Sequence, residues 1–144
     1  MLLIKSTKIG IFDYNKKLIM ETLYHLKTNS TPEIILDKSK EIFLIKGRSK
    51  PENAIEFFDP IMKWFYEYSN NPNQSTVLTF NMDYFNSSSS KIFLNIIRVL
   101  EIVFKKGSDV KVNWYYADED ILEAGQAYES LARVPFTFIE QLKN

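Results

Sequence analysis

From Pro32 onward, apolar residues recur with two periods that take turns along the chain. Glu33–Asp37 (EIILD) and Glu41–Lys46 (EIFLIK) are short runs rich in Ile, Leu and Phe, as strands are. Lys38, Ser39 and Lys40 leave only a hairpin-length gap, so the two strands are expected to pair antiparallel, with Gly47 ending the second. The period then changes: Ala54, Phe57, Phe58, Ile61, Met62, Phe65 and Tyr68 follow at helical spacing. Ser49 and Glu52 stand in capping-box spacing before this helix, with Pro51 in its first turn. Pro60 removes one backbone donor and predicts a kink, and the turn-rich Ser69-Asn70-Asn71-Pro72-Asn73 predicts the helix end.

Alternation returns in Ser75–Tyr84, which places Leu78, Phe80 and Met82 on one face of a third strand. Asn86 and four serines come next, one of which is expected to cap a long apolar helix over 88–106 that stops at Gly107. Val110–Tyr116 is a fourth strand; Asp118, Glu119 and Asp120 cap a third helix reaching Arg133; Phe136–Glu140 is the last strand. The order β-β-α-β-α-β-α-β predicts an α/β fold: a mixed sheet with largely parallel central strands and helices packed on it. Residues 1–29 lack a firm period, and the domain is expected over 30–144. The first stretch then reads as an extension, as a misplaced start with Met20 opening the domain, or as one more strand or helix packed on it.

Composition narrows the function. The 144 residues suit one domain, and 45% hydrophobic with 15% aromatic content is enough for a core without staples. Lys plus Arg and Asp plus Glu both number 18, so there is no basic excess for nucleic acid or an anionic membrane to exploit. Cysteine is absent, which removes disulfides, thiol nucleophiles and cysteine metal sites. No apolar run approaches the roughly 20 residues needed to span a bilayer. Lys5 and Lys8 interrupt the N-terminal apolar run, so no signal peptide is expected and the cytoplasm is the expected location. Glycine-rich phosphate loops and HExxH segments are absent too, and no cofactor is expected.

Chemistry concentrates at the serine run. It lies between a strand and a helix start, where backbone N–H groups lack partners and the helix dipole favours an anion. A phosphate on one serine would add roughly −1.5 to −2 charge at a neutral surface. Lys91 is close enough in sequence to act as counter-charge. The plain alternative is capping alone.

Asp118, Glu119, Asp120 and Glu123 could hold Mg²⁺, but acids in a first turn also complement the helix dipole. A small metal-dependent enzyme built on them is the rival reading, and a constitutive binding scaffold a third. His25, the single histidine, has no cysteine partner or acidic orienter and is expected on the surface. Alternation puts Trp114 and Tyr116 on one face of the fourth strand, with Asn113 and Tyr115 opposite, and core packing on both faces is expected. The helix over 88–106 is apolar beyond one stripe, so it is either unusually buried or docks a partner on its outer side.

Three segments carry a more specific signal: KGRSKPENAIEFFDPIMKWFYEY, NMDYFNSSSSKIFLNII and VKVNWYYADED. Together, over roughly residues 30–140, they resemble the SiaC family of bacterial regulatory phosphoproteins. That resemblance implies a fold similar to STAS domains, the anti-sigma-factor antagonists, with the same element order. It also implies phosphorylation directly after the Asn of the Y-x-N segment, a threonine in the family and Ser87 here, with Ser88 the second choice. Tyr84, Phe85, Asn86, Ser89 and Lys91 are then expected to meet partners. The implied partners are a dedicated Ser/Thr kinase, a PP2C-type phosphatase, and an effector bound by the unphosphorylated form. In the best-defined system of the family that effector is a diguanylate cyclase, so that switch controls cyclic-di-GMP.

Overall fold

The computed structural model describes residues 2–4, 10–12 and 18–142. Seven segments pair into one sheet. Its strands are β1 (Leu2–Ile4), β4 (Leu23–His25), β5 (Glu33–Asp37), β6 (Ile42–Ser49), β7 (Ser75–Phe85), β8 (Asp109–Tyr116) and β9 (Phe136–Glu140), hydrogen-bonded in that order. The pairs from β1 to β6 are antiparallel and those from β6 to β9 parallel. A separate two-stranded ribbon joins β2 (Gly10–Phe12) to β3 (Leu18–Met20). Between the parallel strands run α1 (Ala54–Asn70), α2 (Ser87–Lys105) and α3 (Glu119–Ala132). The mixed α/β sheet and the eight elements expected after Pro32 are all present, in the expected order.

The core sits on one face. Ile34, Ile45, Phe80 and Trp114 occupy one hydrogen-bonded row across β5, β6, β7 and β8, and all four are fully buried. Their neighbours of opposite parity, among them Ile35, Leu44, Thr79 and Asn113, are only half-covered. This corrects the expectation of core on both sides of β8, because α1, α2 and α3 all pack on the Phe80 side. Phe93 of α2 joins the layers, with Phe58 of α1 and Phe80 of β7 at ring-centroid distances of 5.8 and 5.1 Å. Fully burying each such side chain is worth roughly 1.5–3 kcal/mol. α2 is the central helix, packed against both α1 and α3. That position explains its excess of apolar residues: seven of them, from Ile92 to Val103, are buried, and Ile102 and Phe104 remain exposed.

Local chemistry departs from the expected punctuation in three places. Gly47 does not end its strand: with φ at +121° it sits where β6 shifts register against β7, and pairing resumes through Arg48 and Ser49. Glycine tolerates that positive φ without steric cost. Ser49 does not cap α1 either. The cap is Asn53, whose side chain accepts from the Glu56 N–H at 3.1 Å, while Ser49 points into the interior and is fully buried. α1 itself runs on through Pro60.

His25, expected at the surface, is fully buried in β4. Its Nδ1 donates to the Pro32 carbonyl at 2.8 Å, and its ring meets Phe57 edge-on at 5.0 Å. The extension expected over 1–29 lies partly outside the described residues. Within its described part, β4 pairs with β5, and the Glu21 carbonyl accepts from Trp64 Nε1 at 2.8 Å.

Candidate functional site

The C-terminal end of β7 delivers Tyr84, Phe85 and Asn86 to the start of α2. Asn86, not a serine, is the N-cap: its backbone is extended and its Oδ1 accepts from the Ser89 N–H at 2.9 Å. Its carbonyl takes the Ser90 N–H at 2.9 Å, and its own N–H donates to the Ser49 carbonyl at 3.0 Å. Asparagine wins because its short carbonyl side chain reaches the third helical N–H from a β-region backbone. The helix therefore begins one residue earlier than expected, at Ser87.

That single shift sorts the four serines. Ser87 and Ser88 are exposed. Among the described residues nothing is bonded to their N–H groups, which are the unpartnered donors of a first helical turn. Ser89 points inward and is fully buried, its hydroxyl 2.7 Å from that of Ser49 and donating to the Ser49 carbonyl at 3.2 Å. Ser90 is tied to α3: its hydroxyl is 2.7 Å from that of Tyr128, which also donates to the Ser90 carbonyl at 2.9 Å. Ser89, expected among the partner-contacting residues, is thus a structural tie between α2 and β6, with no surface to offer.

The seat of Ser90 rests on a close approach of α3 to the sheet. Trp114 Nε1 donates to the Ile121 carbonyl at 2.8 Å, and a Cβ on Gly125 would stand 2.5 Å from that same nitrogen. Only glycine lets α3 lie against the indole. Tyr128 packs edge-on to Trp114 with centroids 5.5 Å apart, and burial pushes its phenol pKa up, opposed by the Ser90 bond. The phenol therefore stays protonated and keeps its donor.

Lys91 lies one turn along α2 from Ser87, exposed. Tyr84 is 44% exposed and carries the Arg48 guanidinium 5.3 Å from its ring centroid, a cation–π distance. Phe85 is half-buried against Phe93 and Trp114 and belongs to the core wall. Beside Ser88 a groove of about 470 Å³ opens between α1 and α2, lined by Glu52, Ala54, Ile55, Lys91 and Ile92 among others. Arg48 and Ile55 were not singled out in the sequence. The signal for Ile55 was its place on the non-core stripe of α1.

The acidic group at α3 is built for capping. Asp118 is the N-cap and accepts from the Ile121 N–H at 3.0 Å, with Glu119 and Asp120 in the first turn. Among the described residues no three His, Asp or Glu side chains are grouped to hold a metal ion, and no helix is long and apolar enough to cross a membrane.

Comparison with known proteins finds the family that the sequence resembles. A family model described as SiaC family regulatory phosphoprotein matches residues 26–141. An uncharacterized protein of Pseudomonas aeruginosa (strain UCBPP-PA14) is 28% identical over 119 residues, which cover 81% of this chain and 94% of that protein. The crystal structure of apo-SiaC from Pseudomonas aeruginosa superposes with a TM-score of 0.77 at 27% identity, over 83% of this chain and 99% of the other. A chain in the crystal structure of the diguanylate cyclase SiaD with its activator SiaC, also from Pseudomonas aeruginosa, gives 0.76 at 27% identity, over 83% and 99%.

Proposed function

The chain belongs to the SiaC family of regulatory phosphoproteins, and from that premise we propose that it is a non-enzymatic switch set by phosphate on Ser87. One observation carries the reading. Ser87 is the exposed first residue of α2, directly after the Asn86 cap, in a first turn that holds no acidic residue. A phosphate there meets free backbone donors, the positive end of the helix dipole, and Lys91 one turn away. Ser88 is the second acceptor, since it shares the exposure and the free N–H. Ser89 and Ser90 are held in internal hydrogen bonds.

The unmodified form binds an effector through the surface around Tyr84, Asn86 and Lys91. By analogy with SiaC of Pseudomonas aeruginosa, which is the activator of SiaD, that effector is a diguanylate cyclase. A Ser/Thr kinase closes the switch by adding charge and bulk at the contact, and a PP2C-type phosphatase reopens it, in the cytoplasm. The modification leaves the fold intact, because the Ser87 side chain makes no bond within the described structure.

The test titrates the full chain into purified Pseudomonas aeruginosa SiaD and follows cyclic-di-GMP formation. Wild type and Ser87→Ala are expected to stimulate the cyclase to the same extent, and Ser87→Asp to fail. Equal stimulation by Ser87→Asp would contradict the reading.

A further inference from the structure

The sheet ends at β9, whose outer side pairs with no strand among the described residues. Two bonds show which of its backbone groups face inward. The Val112 N–H donates to the Pro135 carbonyl at 2.9 Å, and the Gln141 N–H to the Tyr116 carbonyl at 2.8 Å. Backbone direction alternates along a strand, so residues 135, 137, 139 and 141 face β8, and Phe136, Phe138 and Glu140 present their N–H and C=O outward. One outward group is taken: the Phe136 N–H donates to Glu129 Oε2 at 3.0 Å. The rest of the row is left for another chain.

Natural edge strands discourage such pairing with Lys, Pro or a bulge. The strand Phe136-Thr137-Phe138-Ile139-Glu140 has no Lys or Pro, and it keeps unbroken register with Val112–Tyr116. Its apolar side is unfinished as well. Phe136 pairs with Val112 and Phe138 with Trp114 on the core-facing side; Val112 and Trp114 are fully buried, but the two phenylalanines only half. Their rings, 5.7 Å apart, form an apolar ledge at the rim of the sheet.

We propose that this edge pairs with β9 of a second copy of the chain, antiparallel about a two-fold axis at Phe138. The strand is its own complement in that register. Phe138 meets the same residue of the other copy at a Cα separation of about 5.5 Å, exchanging two hydrogen bonds. Each Glu140 N–H reaches a Phe136 carbonyl, adding two more, while Glu129 keeps the Phe136 N–H. Opposed side chains share a face, so Phe136 and Phe138 of both copies join into one apolar strip on the helix side, and Thr137 stands opposite Ile139 on the other.

Charge permits the match. Glu140 is the one charged residue of the strand, and its two copies lie four residue steps apart, about 14 Å, beyond the roughly 8 Å screening length at physiological salt. A strand of another protein would satisfy the backbone but not this symmetry. Five residues a side are few against the roughly 20–30 of a standard interface, so the dimer exchanges with monomer as concentration changes. Antiparallel joining sets the two Ser87 sites at opposite ends of one continuous sheet.

Sedimentation equilibrium of the full chain, from micromolar to millimolar concentration, is expected to show monomer giving way to dimer. Thr137→Lys puts a charge opposite Ile139, and Glu140→Pro removes an outward donor without breaking a bond to β8. Each is expected to weaken association at least tenfold, with circular dichroism confirming the fold. Val77→Lys, exposed on β7 in the middle of the sheet, is expected to stay within twofold. Because the chain has no cysteine, the register can be read directly. Mixed under oxidising conditions, Thr137→Cys and Ile139→Cys chains are expected to crosslink to each other, since opposed residues come within disulfide reach and residues two steps apart do not. Monomer at every concentration, the result if this edge takes a strand of another protein instead, overturns the proposal. So does association that the edge variants leave unchanged, or a Thr137→Cys chain that crosslinks to itself in place of the mixed pair.

Discussion

Two helix starts in this molecule share a cap and differ in charge. α2 opens on Asn86 and α3 on Asp118, each accepting from the N–H three residues on, at 2.9 and 3.0 Å. The first turn of α3 contains Glu119 and Asp120, and that of α1 contains Glu56, whereas the first turn of α2 contains no acid at all. The positive end of a helix attracts negative charge by about 0.3–1 kcal/mol per residue at exposed positions. At α3 fixed carboxylates meet that demand permanently. At α2 it is left open beside two exposed hydroxyls, as the proposed switch requires. The difference separates a helix start serving stability alone from one available to a signal.

The largest effect in stability separates the inner serines from the outer ones. Ser89→Ala strips the buried Ser49 hydroxyl of its partner and is expected to cost about 1–3 kcal/mol in urea unfolding. Ser87→Ala is expected to stay within about 0.5 kcal/mol, as exposed substitutions do. Removing the caps comes next: Asn86→Ala should cost about 1 kcal/mol, and Asp118→Ala about 0.3–1 kcal/mol more at low salt, because the aspartate cap is also an anion at the helix's positive end.

Exchanging the charge is smaller still. Ser88→Glu should stabilise the fold by about 0.3–1 kcal/mol at low salt, and Asp120→Asn should destabilise it by a similar amount. Both shifts shrink as salt is raised. A gain at α2 that persists in high salt would break the comparison.

A pH series isolates the core from these surface terms and has the smallest effect at neutrality. Desolvation holds the His25 pKa below its usual value, against the opposing pull of the Pro32 carbonyl. The unfolded chain therefore takes up the proton first. Its contribution to stability is complete above the ordinary imidazole value of about 6.5 and falls as pH drops through it toward the lowered folded value. In His25→Gln this part of the acid slope should vanish, as read from urea midpoints between pH 7 and 5.

Much of this was legible from periodicity. Alternation located β7 and β8, short apolar runs β5 and β6, helical spacing α1, a long apolar run after a capping cluster α2, and an acidic cap α3. Strand β4 was allowed for as one more packed element but not located, because three residues, Leu23 to His25, are too few to show a period. The caps were misplaced where a serine and an asparagine compete for one role: Ser49 is drawn inside by Ser89, forty residues away, and Asn86 takes the position assigned to a serine. The four serines look alike locally, and their division depends on Ser49 and on Tyr128, which only tertiary packing brings near. One clue was present in the sequence. Counting from Asn86 as cap, Ser89 falls on the same stripe as Phe93, Ile96 and Leu100, the buried face of α2.

The most direct test is intact-mass measurement of the chain recovered from its native host, with the modified residue located by fragmentation. Under growth conditions that alter its regulated output, the account predicts a single added phosphate on Ser87, and its loss in Ser87→Ala. Phosphate found on Ser89 or Ser90 with Ser87 unmodified, or unmodified protein under every condition, contradicts it.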